Sequence, residues 1–362
     1  MYFGSDNQTG ASAQVLDMLT QANNEYTHGY GDDRWTEQAV EALKAVFECD
    51  LEAYFVATGT AANSLALSCM VQPWEGILCH DSAHIILDES TAPELFTGGA
   101  RMRPISQGEG KISPQHLQDY FQIIGTDYPH NVKAAALSIT QASESGLVYT
   151  PSEVTALSAV AKDNGLSVHM DGARFANALA SVGCTPAELT WKAGVDVLCL
   201  GATKCGALCA EVVMFFNKDL AQTFTHRRKR GGHLLSKGRL FGAQMVGWLN
   251  DDHWLDLAQH ANGQATALAK QIIAFDQLKL VWPVHSNELF VIMPKDLADH
   301  LQAAGAEFYD WYVDTLPPNI TLGEHEMFSR LVTSFKTQDV HREDFCEHIS
   351  DYFANQPQWF VD

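Results

Sequence analysis

Lys204 is the side chain of this 362-residue chain that purely structural roles explain least. It stands in Gly201-Ala202-Thr203-Lys204-Cys205-Gly206, inside the apolar stretch 195–216, where Asp196 and Glu211 are the other charged residues. Lysines are rarely buried without a partner. Taken out of water, the amine gives up its proton more readily and can then bond covalently to a carbonyl carbon. The plain alternative is a lysine on a surface turn. Thirty-three residues before it, Asp171 lies in His169-Met170-Asp171-Gly172-Ala173-Arg174. Asp171 and Arg174 could form an ordinary ion pair. They could also divide two tasks: a carboxylate that keeps a pyridine nitrogen protonated, so that the ring draws electrons, and a guanidinium fork that grips a substrate carboxylate. Thr58-Gly59-Thr60-Ala61-Ala62-Asn63 puts small residues and hydroxyls at a helix start, which suits an N-cap and equally a phosphate. His84, in His80-Asp81-Ser82-Ala83-His84, is either a packed histidine or an imidazole stacked on a cofactor ring. Phosphate cradle, histidine, aspartate with an arginine three residues on, and lysine are together what one cofactor site requires.

Such residues work only if a scaffold aims them at one place. Short apolar runs at 53–57, 76–79, 134–139, 166–170, 195–200 and 212–216 predict buried strands. Helical spacing begins near Ala61 and recurs at 152–164 and 174–182, the first of these two opening near Pro151 and Glu153 and stopping at Gly165. Alternating strands and helices predict an α/β fold with a mostly parallel sheet flanked by helices. In such a sheet ligands bind at the carboxyl ends of the strands, where each of the clusters above falls. Past residue 250 the pattern changes to a long helical segment at 251–275, strands at 278–281, 288–293 and 330–335, and a final helix after His341. The expected organisation is an arm or helix over 1–25, a large unit over 26–250 and a smaller C-terminal α+β unit over 251–362.

Composition removes several alternatives. Acidic residues outnumber basic ones by 44 to 23, a formal charge of −21 that repels nucleic-acid backbones and anionic membranes. The eight cysteines are scattered and partly within apolar runs, as expected of reduced thiols, and no metal set is expected around Cys205 and Cys209. Residues 1–7 have neither the basic flank nor the apolar run of a signal peptide, and the stretch 195–216 is too interrupted to span a membrane, so a cytoplasmic location is expected. No Gly-x-Gly-x-x-Gly follows the first strand, which argues against a nucleotide-binding dehydrogenase.

With these motifs assembled, the chain resembles the low-specificity L-threonine aldolases, fold-type-I enzymes dependent on pyridoxal 5'-phosphate (PLP). The likeness runs from Ser5-Asp6-Asn7 through Tyr30-Gly31-Asp32-Asp33, the Thr58 cluster, Ala83-His84 with Glu89, the Asp171 cluster, the lysine turn and Arg228-Lys229 to Asn287 and Arg330-Leu331-Val332-Thr333. It is most similar to bacterial threonine and phenylserine aldolases that carry Thr-Gln-Ala in mid-chain. The resemblance implies that Lys204 bonds to the cofactor, Asp171 holds its ring nitrogen, His84 stacks on the ring, and Thr58, Gly59 and Thr60 hold the phosphate, with Lys229 and Arg174 close to the cofactor. It implies that Ser5, Arg174 and Arg330 bind the substrate carboxylate and that Tyr30 enters the site across a subunit interface, so that the assembly is a dimer or tetramer. The reaction implied is cleavage of threonine, allo-threonine or phenylserine to glycine and an aldehyde, with His84 or a water it orients as base. β-Elimination or racemisation on the same scaffold is the alternative. One departure stands out: where many members have Glu-Asn-Thr-His-Asn, this chain has Thr140-Gln141-Ala142-Ser143-Glu144, without the histidine that recognises the substrate hydroxyl.

Overall fold

The computed structural model describes residues 1–106, 109–124 and 129–355. Among them, strands β1 (Glu52–Val56), β2 (Gly76–Cys79), β3 (Arg101–Pro104), β4 (Ala134–Thr140), β5 (Ser167–Gly172), β6 (Val197–Gly201) and β7 (Glu211–Phe215) form one sheet in the order β1-β7-β6-β5-β4-β2-β3. Strands β3, β2, β4, β5 and β6 pair in parallel, and β7 runs against both of its neighbours, β1 and β6. All five residues of β6 and all five of β7 are buried. Successive side chains of β6 feed opposite faces: Leu198 and Leu200 join one core, Val197 and Cys199 the other. A strand covered on both sides has no polar face to show, which is why these runs are apolar without alternation. Each such aliphatic side chain contributes on the order of 1.5–3 kcal/mol on burial.

The helices that cover this sheet begin and end where local chemistry dictates. Pro151–Asp163 starts from a capping box in which the Thr150 side chain accepts from the Glu153 amide and the Glu153 carboxylate accepts from the Thr150 amide. Glycines set how closely three other helices approach. A β-carbon at Gly242, in the helix Arg239–Leu249, would lie 2.5 Å from the Thr36 amide nitrogen of the helix Arg34–Phe47. One at Gly247 would lie 3.0 Å from the Gln14 carbonyl of the helix Ala13–Asn23.

A second, antiparallel sheet follows, β10-β11-β9-β8, built from β8 (Lys279–Leu280), β9 (Glu288–Pro294), β10 (Tyr309–Asp310) and β11 (Glu326–Val332). One face, with Leu289, Val291, Met293 and Leu331, packs on the helices Lys295–Ala303 and Asp339–Ala354. The helix His253–Ile272 serves both bodies: Trp254 and Ala258 lie in the core of the large sheet, Ala265, Leu268 and Ile272 in that of the small one. The N-terminal arm crosses between them as well. Phe3 packs on Phe345 at 5.2 Å and exchanges backbone hydrogen bonds with Glu307 and Val332, and the next turn, Asp6–Gln8, reaches the large sheet. The last strand begins four residues earlier than its spacing predicts and ends at Val332; just beyond it the Thr333 hydroxyl donates to the Ala261 carbonyl and the Ser334 amide to the Thr337 hydroxyl. Residues 356–362, expected to close the C-terminal unit, lie outside the described residues.

Candidate active site

A cavity of about 540 Å³ opens at the ends of β4, β5 and β6 and is roofed by Trp311, Tyr312 and Arg330 of the smaller body. Lys204, Asp171, His84, Thr58, Gly59, Thr60, Ser5, Arg174 and Arg330 all line it.

Lys204 follows β6 in a tight turn, Thr203–Cys205, held on both sides. Trp248 donates its indole N–H to the Cys205 carbonyl at 2.7 Å, and the Ser12 amide donates to the Gly206 carbonyl at 2.9 Å. Gly206 has φ +105°, a conformation that glycine adopts without strain. The amine has no hydrogen-bond or ion-pair partner among the described residues. Burial, aided by the nearby Arg174 charge, lowers its pKa.

Asp171 is nearly the last residue of β5 and is buried. Its Oδ2 accepts from Asn63 Nδ2 at 2.8 Å and its Oδ1 from the Ala173 amide at 3.0 Å. Asn63 gives the second hydrogen of the same amide to Glu89 Oε1 at 2.9 Å, and that oxygen also contacts His84 Nδ1 at 2.9 Å. His84, Glu89, Asn63 and Asp171 are thus one chain of hydrogen bonds. Glu89's hydrogen bond raises the pKa of His84 against the effect of its burial, and burial raises that of Glu89. The His84 side chain is 42% exposed, open to the cavity.

Thr58 is the N-cap of the helix Gly59–Met70, its Oγ1 accepting from the Ala61 amide at 3.2 Å. The cap leaves room for an anion as well: the first amides of a helix have no intrahelical acceptor, and Thr58, Gly59 and Thr60 line the cavity. A β-carbon on Gly59 would meet nothing within 4 Å, so there is open space beside the helix start, which lines the cavity.

Arg174 is more heavily engaged than its spacing suggests. Asp6 takes the Nε–Nη2 edge of its guanidinium at 2.7 and 3.0 Å, leaving Nη1 near Glu288 at 3.2 Å. Arg330 Nη1 also approaches Glu288, at 3.6 Å, with its guanidinium 4.0 Å above the Trp311 ring. Burial alone would raise the Asp6 pKa, but the charges of Arg174 and Lys204, with hydrogen bonds from Arg174 and Asn287, bring it down to about 2. Ser5 spends its hydroxyl as the cap of the Asp6–Gln8 turn, accepting from the Asn7 amide at 3.1 Å.

Tyr30 and Lys229 are not brought into this cavity. The Lys229 amine lies 5.1 Å from the centre of the Tyr30 ring, and Tyr30 lines a separate hollow with Tyr54, Arg228 and His233. Tyr30 is half exposed, and the short helix Phe224–Arg230 that carries Lys229 packs on the outer side of the Gly59–Met70 helix. The spacing of motifs did not single out Asp6, Glu288, Glu144 or Glu211 as site residues. All but Asp6 line the cavity, and Asp6 stands behind it. The available signal was an acid within an apolar run, clearest at Glu211, where burial pushes the carboxyl up to about 7.

The sequence profile of the beta-eliminating lyase family matches residues 3–295. The low specificity L-threonine aldolase of Pseudomonas aeruginosa is 42% identical over 307 residues, covering 85% of this chain and 88% of its own. The chain belongs to this family, among the low-specificity L-threonine aldolases. A second Pseudomonas threonine aldolase matches to the same extent. The structure of Leishmania major threonine aldolase superposes with a TM-score of 0.89 at 27% identity, covering 97% of this chain and 99% of that one. The fold is therefore that of the fold-type-I PLP enzymes, and the chain is a PLP-dependent lyase. The residues of this threonine aldolase site suit that cofactor. A pyridine aldehyde with a phosphate arm needs an unpaired amine, a buried acid for its nitrogen, an anion site and a flat partner for its ring. Lys204, Asp171, the helix start at Thr58–Gly59–Thr60 and His84 offer these around one cavity.

Proposed function

We propose that the enzyme cleaves β-hydroxy-α-amino acids, by default L-threonine or L-allo-threonine and also phenylserine, to glycine and the corresponding aldehyde. The observation that carries this is the convergence of an unpaired, enclosed lysine and a hydrogen-bonded aspartate on one cavity flanked by two arginines. When bound, PLP supplies a conjugated electron sink beside the substrate Cα. Lys204 would hold it covalently, and Asp171, fixed by Asn63 and the Ala173 amide, would keep its ring nitrogen protonated. Thr58, Gly59 and Thr60 would hold the phosphate, and His84, tethered by Glu89, would support the ring. Arg330 and the Nη1 edge of Arg174, which Glu288 holds toward the cavity, would with Ser5 bind and orient the substrate carboxylate. Positioning of this kind is worth several kcal/mol. Tyr30 and Lys229, turned outward, serve the cavity of a neighbouring copy in a dimer or tetramer, and the division into an arm, a large unit and a C-terminal unit is part of the same proposal. A cytoplasmic location fits the absence, among the described residues, of any helix long and apolar enough to cross a membrane.

The test is aldehyde release from threonine and phenylserine by the purified holoenzyme. Lys204→Ala is expected to abolish both the release and the visible absorbance of the bound cofactor; a variant that keeps them refutes the assignment. The name of the matched family favours β-elimination as the second reading, with racemisation behind it. Products separate them: glycine with aldehyde supports cleavage, ammonia with a keto acid supports elimination, and an inverted Cα supports racemisation.

A further inference from the structure

The turn after β4, where the histidine of many relatives is missing, presents a carboxylate to the cavity instead. Glu144 lines it, half-buried, and Oε1 accepts from the Thr140 hydroxyl at 2.8 Å and from the His84 amide at 2.9 Å. Oε2 has no partner among the described residues. A side chain with one oxygen pinned twice and the other free is aimed, not merely accommodated.

The turn that carries it is stiff. Gln141 locks its ends, donating to the Tyr149 carbonyl at 2.8 Å and accepting from the Tyr149 amide at 3.0 Å. Its own backbone amide donates to the Asp171 carbonyl at 2.8 Å. Ser143 bonds Leu147 across the loop, Gly146 supplies the left-handed residue at φ +71°, and Ser286 of the smaller body donates to the Gly146 carbonyl at 3.1 Å. Glu144 therefore holds its place relative to Asp171 and His84, on the side of the cavity where His84 is exposed. Acid functions pre-set this way lose little entropy on meeting a substrate.

Resting on the proposed aldolase reading, we propose that Glu144, through its free Oε2, receives the β-hydroxyl of the substrate and takes its proton as the Cα–Cβ bond breaks. The O–H bond is lost to the carboxylate, and the pair it leaves on oxygen becomes the second bond of the aldehyde carbonyl. The Cα–Cβ pair stays with Cα, which takes up one proton, so one substrate yields one glycine and one aldehyde. No oxidant or reductant enters. A hydroxyl is thus required of the substrate, while the group beyond Cβ is not read by Glu144. Burial holds the Glu144 carboxyl above its ordinary range, which brings its proton affinity closer to a working neutral pH. The groups that face it are His80 and Cys79 from the end of β2, His84, Asp171 from β5 and Tyr149 beyond the turn. This assigns to Glu144 the role that the resemblance gave to His84 or its water, and it leaves His84 to the ring.

The experiment compares holoenzyme and its Glu144→Gln variant in two reactions. One is aldehyde release from threonine, which needs a base at the hydroxyl. The other is exchange of the glycine α-hydrogen with deuterated water, followed by NMR, which has no hydroxyl and shares every other site residue. A positioned base contributes typically 10²–10⁴-fold. The variant is expected to lose at least about 100-fold in kcat/KM for threonine cleavage and to keep glycine exchange within about threefold. Cleavage that survives, or both reactions falling together, overturns the role. Should the glutamine variant fold poorly, Glu144→Asp, which keeps the charge and withdraws its reach, must show the same split between the two reactions. The wild-type arm reports on the proposed activity and the variant arm on Glu144 alone, so the two failures are told apart.

Discussion

Glu211 shows how far burial moves a single group in this molecule. It opens β7 across from Gly201, receives the Thr203 hydroxyl, and holds its proton up to a pH of about 7, where an unfolded glutamate loses it near 4.5. Because the folded state binds the proton more tightly, Glu211 favours folding fully below about pH 4.5, and that contribution is lost as pH rises through 7. The loss is at most roughly 3 kcal/mol, taking 1.36 kcal/mol for each unit. Glu211→Gln, which keeps the shape without the titration, should match the parent's melting temperature at pH 4.5 and exceed it at pH 8. Equal melting at both pH values would refute the burial account. Asp6 is the opposite case, an ionised acid beside Arg174. Asp6→Ala strands that guanidinium with Glu288 alone, and breaking a buried pair of this kind costs about 3–5 kcal/mol. Urea unfolding of the variant measures it, and a loss under 1 kcal/mol would mean that Glu288 suffices.

At the scale of elements, Thr58 joins the sheet to the site, since its hydroxyl both caps Gly59–Met70 and stands among the residues facing the anion space. Thr58→Ala should cost about 1 kcal/mol of stability, the usual worth of a cap. A fall in PLP affinity, read by titrating the cofactor-free protein, should accompany it; a cap-only role predicts the first change without the second. The strands β2, β4, β5, β6 and β7 were legible in the sequence because burial leaves nearly unbroken apolar runs, and the edge strand β1 because its second half is apolar and buried; the bounds differ from those expected by at most two residues. The edge strand β3 was not, since Arg101 and Arg103 lie on a short, partly exposed border and carry no apolar signal. The helices Arg34–Phe47 and Arg239–Leu249 were not read either: the first carries a usable signal in Trp35, Ala39, Leu43 and Phe47, buried four residues apart, whereas the second is buried on most sides and shows no single apolar face. In the site, residues that follow a strand in order, such as Asp171 and Lys204, could be read directly. Glu288 and Glu144 could not, because their partners are distant in sequence and only the tertiary structure brings a second charge or a cavity wall to them.

For the whole molecule, the outward pair Tyr30 and Lys229 carries the consequence of assembly. If each cavity borrows them from a neighbour, Lys204→Ala and Tyr30→Ala chains, each weak alone, should regain up to about a quarter of the parent activity when unfolded together and refolded, through mixed pairs that contain one intact site. Recovery no greater than the mean of the two variants would place Tyr30 in its own chain's chemistry or in none. The helix His253–Ile272, shared by two cores, makes a further point. With one rod embedded in both bodies, heat should dissolve them together, and calorimetry should record a single transition.

The opening residues of the chain are a strap and not a tail. Phe3 is stitched to Glu307 and Val332, and three positions later Asp6 grips Arg174 from behind the cavity wall. A protease that nicks the segment near Thr9, or a bulky fusion that lifts Phe3 from its seat, would leave Lys204 and Asp171 untouched and yet slacken the guanidinium proposed to hold the substrate. Preparations should then fade through weaker substrate capture, well before the yellow colour of the bound vitamin is lost.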